Sequence, residues 1–123
     1  MMGWWFVVTK QTPIEIDTAF DNAAGLLATW ETSVSGIEWL QKLVKEGKAS
    51  QIAFNGYPNR FTAKAHVILP LIADGPPLHG GPEILGDDYV MPGNWTGNVT
   101  LHHDKIASCL LDQILTIDAW DQS

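Results

Sequence analysis

The residues of this chain best equipped for chemistry lie between positions 79 and 109: His79, Glu83, Asp87, Asp88, His102, His103, Asp104 and Cys109. Imidazoles, carboxylates and a thiol are the ligand types of zinc and iron, and the parts of hydrolytic sites. Spacing decides whether they can act together. The chain has no His-Glu-x-x-His, no Cys-x-x-Cys and no EF-hand pattern. Reading 98–103 as a strand sends His102 and His103 to opposite faces, so only one of them can serve a given ion. No metal or other cofactor is therefore expected.

Nucleophilic catalysis is no better supported. Cys109 follows His103 by six residues, but it sits in the apolar run Ile106-Ala107-Ser108-Cys109-Leu110-Leu111. Such surroundings predict a buried, unreactive thiol. A Gly-x-Ser-x-Gly elbow is missing. Asp87 and Asp88 beside Glu83 have the composition of an acid–base pair, yet adjacent aspartates in Gly-Asp-Asp-Tyr suit a turn in which Asp bonds its own backbone. Gly80-Gly81 is not a phosphate cradle, because no Gly-Lys-Ser/Thr follows and residues 65–104 hold no Lys or Arg at all.

Contact is the remaining use for this segment. Tyr89, Met91 and Trp95 are types enriched at interfaces, and they stand among carboxylates between Pro82 and Pro92. Aromatic anchors supply affinity, and surrounding acids speed the approach of a basic protein. The expected partner-binding residues are Glu83, Asp87, Asp88, Tyr89, Trp95 and Asp104.

The elements that position these residues follow from periodicity and punctuation. Gly3–Thr9 is β-branched and aromatic and predicts a strand buried on both faces. Thr12-Pro13-Ile14-Glu15 carries a capping box with proline at the first helical position, predicting a helix to about Ala24 with Ile16 and Phe20 inward. Leu26–Val34 fits either strand or helix, and is read here as helix running into a loop. Ser35-Gly36-Ile37-Glu38 repeats the capping-box pattern. Beyond it Ile37, Leu40, Leu43 and Val44 recur at helical spacing, and Gly47 closes the helix.

Residues 51–65 read as a hairpin around Asn55-Gly56-Tyr57-Pro58-Asn59. Residues 66–73 read as a short helix with Pro70 in its first turn. The stretch 75–97 holds six of the eleven glycines and four of the seven prolines, which predicts a long acidic loop with short strands near 83–85 and 89–91. Asn98–His103 and Leu115–Trp120 alternate and read as strands. The fold class is α+β: a single compact domain over 1–123, mainly antiparallel sheet with two or three helices and a long loop at 75–97.

Charge sharpens the functional reading. The net of −7 arises entirely after residue 64, where Lys105 is the single cation against eight acids. A field of one sign repels nucleic acid and attracts basic surfaces. The lone cysteine allows no internal disulfide, and no apolar run approaches the ~20 residues of a membrane span. The N-terminal MMGWWFVVTK lacks the basic region and cleavage site of an export signal, and Val7 stands where a myristoylation signal needs Ser or Thr. A cytoplasmic location is expected.

The expected function is that of a non-enzymatic binding protein that inhibits or neutralises a basic protein partner, possible targets being a nuclease or a toxin. Bacterial toxin-immunity proteins and phage-encoded inhibitors have the same general profile: small, acidic and cytoplasmic. The profile is the whole of the likeness and carries no residue across. The alternative is a small hydrolase using His79, Asp87, Asp88, His102 or His103. A third possibility is an accessory subunit that pairs with a homologous chain.

Overall fold

The computed structural model describes residues 3–18, 25–77 and 96–122, and the backbone of 83–84 and 90–91. The architecture is α+β. Six strands form one antiparallel sheet in the order β3-β4-β8-β1-β2-β7, comprising β1 (Trp4–Thr9), β2 (Leu26–Thr32), β3 (Ala49–Phe54), β4 (Asn59–Lys64), β7 (Thr96–Leu101) and β8 (Ile114–Asp121). A separate two-stranded pair joins β5 (Glu83–Ile84) to β6 (Val90–Met91). The helices are α1 (Pro13–Thr18), α2 (Glu38–Lys45), α3 (Ala65–Ile72) and α4 (His103–Ala107). None of the described helices is long and apolar enough to cross a membrane.

The first and last strands of the sheet, β1 and β8, lie side by side at its centre, with Phe6 opposite Ala119 and Val8 opposite Ile117. Alternation then sorts the side chains. Phe6, Val8, Ala28, Trp30, Phe61, Ala63, Leu115, Ile117 and Ala119 belong to the core, joined by Trp39, Leu40 and Leu43 of α2 and Ile68 and Ile72 of α3. At its centre Phe6 stacks on Trp30 with ring centroids 5.2 Å apart, and Trp39 closes on both at 6.0 Å. Offset aromatic contacts at such distances add to the area they bury.

Several local expectations hold and several change. The α1 capping box is present, with the Thr12 N–H donating to Glu15 Oε1 at 2.9 Å and the Glu15 N–H to Thr12 Oγ1 at 3.3 Å. Helix α1 is described only to Thr18, and its proposed continuation through Ala24 lies outside the described residues. Leu26–Thr32 is a strand, not the helix read from its composition. Pairing to β1 on one side and β7 on the other makes it interior to the sheet, where a continuous apolar run is natural.

The second helix begins differently from the reading: a 3-10 turn at Val34–Ile37 leads into α2, whose N-cap is Ile37 and not Ser35, and neither Ser33 nor Ile37 makes a side-chain capping bond. Gly36 sits so tightly on Thr32 that a β-carbon there would overlap the threonine side chain, so the chain hugs the end of β2 as it turns. The C-cap of α2 does follow expectation. Gly47 adopts φ +77°, and the Lys48 N–H reaches the Leu43 carbonyl at 2.8 Å.

The hairpin read over 51–65 is present as β3 and β4, with Ala65 already in α3, but Pro70 lies past the first turn of α3, inside the helix. The missing N–H leaves the carbonyl of His66 without its usual helical donor, and His66 is exposed, so water can replace it. The sheet strand near the end stops at Leu101, and His103 begins a helix that the alternating pattern concealed.

Candidate functional site

Of the residues singled out from the sequence, His79, Asp87, Asp88, Tyr89 and Trp95 lie outside the described residues, and Glu83 and Met91 are placed only as backbone, in β5 and β6. The remainder converge on the connection from β7 to β8. Leu101 ends β7, His102 occupies the N-cap of α4, and His103 and Asp104 open the helix. These residues, with Lys105, line an open depression of about 450 Å³.

The backbone holds this turn from two sides. The His102 N–H donates to the Leu27 carbonyl at 2.8 Å, and the His102 carbonyl accepts the Ile106 N–H at 3.0 Å. His102 and His103 are therefore consecutive at a strand-to-helix corner, not on opposite faces of one strand. His103 and Asp104 face solvent. Among the described residues no group of three His, Cys, Asp or Glu side chains is placed to hold a metal ion.

The candidate nucleophile Cys109 is engaged locally, as is its neighbour Ser108. Ser108 Oγ donates to the Lys105 carbonyl at 2.9 Å, and Cys109 Sγ points to the same oxygen at 3.4 Å. Burial pushes the Cys109 thiol above its ordinary pKa, with Lys10 only partly opposing the rise. A raised pKa keeps sulfur in its unreactive protonated form. The helix end thus uses both side chains as local caps.

Cys109 itself is half-buried and not fully buried as read from the sequence, and the apolar run around it does not all enter the core. Leu110 is 74% exposed and Leu111 69%, with exposed Asp112 after them. This turn is nevertheless fixed. The Gln113 N–H bonds the Leu110 carbonyl at 3.1 Å, the His66 N–H bonds the Leu111 carbonyl at 3.0 Å, and the Ala65 N–H bonds the Gln113 carbonyl at 2.8 Å. Three backbone bonds, two of them from the start of α3, hold two leucines out in water. Sequence reasoning missed this surface because Leu-Leu between a short helix and a buried strand resembles core. The adjoining Asp112-Gln113 was the available signal of a turn.

A second group, also missed, lies on the sheet face away from the aromatic core. Arg60 meets Asp118 side-on, Nε to Oδ1 at 2.7 Å and Nη2 to Oδ2 at 3.0 Å, and its Nη1 reaches Asp17 of α1 at 3.0 Å. The bonds to Asp118, more than those to Asp17, raise the guanidinium pKa still further and keep it charged. With both carboxylates engaged, Arg60 ties α1 to the sheet. Its role is structural.

Compared with family models, with curated proteins and with solved structures, the chain matches none.

Proposed function

We propose that this chain is a non-enzymatic binding protein that inhibits or neutralises a basic protein partner by occluding its surface, in the manner of toxin-immunity proteins or phage-encoded inhibitors. The observation that carries the reading is the turn 108–113, where Leu110 and Leu111 are held in solvent beside Asp112 and follow directly from the helix that presents Asp104. Apolar side chains kept out of the core by fixed backbone bonds are suited to being covered by another molecule. Acids around them favour a basic one. The charge balance after residue 64 extends the same preference, with Glu83, Asp87, Asp88, Tyr89 and Trp95 as further proposed contacts.

The test is recovery of the partner from the native host with the tagged full chain, followed by kinetics with the purified partner. Reversing Asp87 and Asp88 to Lys is expected to slow association and flatten its salt dependence. Leu110→Ser with Leu111→Ser is expected to speed dissociation. An acidic partner, or kinetics indifferent to both variants, defeats the proposal. The hydrolase alternative draws its support from the depression at His102, His103 and Asp104. Turnover of ester or phosphoester substrates that is lost in His103→Ala would favour it instead.

A further inference from the structure

The segment from α2 to β4 has the opposite charge balance, and its Lys64 end adjoins the 108–113 turn, with Lys64 opposite Ile114 in the sheet. Between Trp39 and Ala73 the chain carries five cations (Lys42, Lys45, Lys48, Arg60 and Lys64) against one acid, Glu46. Arg60 is neutralised by Asp17 and Asp118. Lys42, Lys45, Lys48 and Lys64 are exposed, and Lys48 Nζ lies 4.0 Å from Glu46 Oε1. Lys42 and Lys45 belong to α2, Lys48 to the turn that leads from α2 into β3, and Lys64 to the end of β4, so Lys48 stands at the N-terminal end of the sheet edge formed by β3.

That edge lacks most of the usual protection. Among the described residues β3 pairs with β4 alone. Its sequence, Ala49-Ser50-Gln51-Ile52-Ala53-Phe54, contains no charge and no proline, the devices that ordinarily deter strand addition. Ile52 is 49% exposed and Phe54 73%, and Tyr57 extends the apolar surface beyond the strand. One irregularity interrupts the register between Gln51 and Ala53, where Gln51 Nε2 donates to the Ala53 carbonyl at 3.1 Å.

We infer that the β3 edge is a docking site for an extended acidic peptide, which adds as a seventh strand antiparallel to Ala49–Phe54. Main-chain bonds give such additions their affinity, and alternate side chains give specificity. Antiparallel addition starts the peptide beside Phe54 and ends it beside Lys48. Its apolar residues then cover Ile52 and Phe54, and carboxylates in its C-terminal half meet Lys48, which directly precedes the strand. The local excess of lysine selects an acidic peptide over a basic one.

The experiment is selection of a displayed library of random octapeptides on the immobilised full chain, followed by fluorescence anisotropy with the most enriched peptide. Expected are alternating apolar residues with Asp or Glu in the C-terminal half. Binding should weaken about fivefold or more between about 50 and 300 mM salt, and hydrogen exchange should slow at Ser50–Phe54. Ile52→Pro should abolish binding. Lys48→Glu, an exposed change that leaves the strand intact, should weaken it about tenfold. Enrichment of basic peptides, enrichment of none, or protection confined to other segments overturns the assignment. So does concentration-dependent dimerisation of the chain alone that protects β3, which makes a second copy the occupant.

Discussion

On one face of the sheet Phe6, Trp30 and Trp39 close on one another beneath α2, while on the other Arg60 reaches sideways to Asp118 and outward to Asp17. Both arrangements join a helix to the same strands, but by different physics. The aromatic contact is non-directional and gains from the area it removes from water. The ion pair is directional, and its attraction is offset by the cost of desolvating both charges. Helix α2 buries Trp39, Leu40 and Leu43, whereas none of the described residues of α1 is buried. The aromatic face should therefore carry the stability of the fold, and the charged face the placement of α1.

Breaking the aromatic face should have the largest effect. Trp30→Ala removes a fully buried ring and is expected to cost about 3–5 kcal/mol in urea unfolding. A loss below about 1 kcal/mol would show that the cluster is not the centre of the core. On the opposite face Arg60→Met strands the buried Asp118 carboxylate and should cost about 3 kcal/mol. Adding Asp118→Leu should recover most of that loss, since an apolar pair replaces a broken ionic one. Failure to recover would mean that Arg60 stabilises through Asp17.

Smaller effects should stay local to α1. Thr12→Ala removes the cap, worth about 1 kcal/mol, and should speed amide exchange over residues 13–18 about fivefold with little change in global unfolding. The Glu15 carboxyl, accepting the Thr12 N–H and bonded to the Thr12 side chain, is held below its ordinary pKa. Its stabilisation of α1 is thus complete above the usual glutamate range and lost as pH falls through the lowered folded value. Amide shifts of residues 13–18 followed from pH 7 to about 3 should report that loss, and Glu15→Gln should abolish the dependence.

The same contrast explains what could be read in advance. The α1 capping box is legible because Thr12 and Glu15 satisfy each other within four residues. Strand β8 is legible from its alternation. Strand β2 is not, because it is buried well beyond one face, with Leu27, Ala28, Thr29 and Trp30 all inside, which erases the period of two. Helix α4 has only five residues, too few for helical spacing to appear between His103 and Ala107. The pairing of Arg60 with Asp118 spans 58 positions and depends on register, so neither residue announces its partner. The acidic excess was plain from composition, but the exposure of Leu110 and Leu111 required the backbone bonds that tie their turn to α3.

The proposal of contact through an acidic, apolar surface is tested most directly by the association rate between this chain and the basic protein recovered with it. With the wild-type chain that rate should fall about tenfold or more between low and physiological salt. With Asp87, Asp88 and Asp104 changed to Asn it should start lower and depend less on salt. An unchanged rate and an unchanged salt slope for that variant would contradict the account.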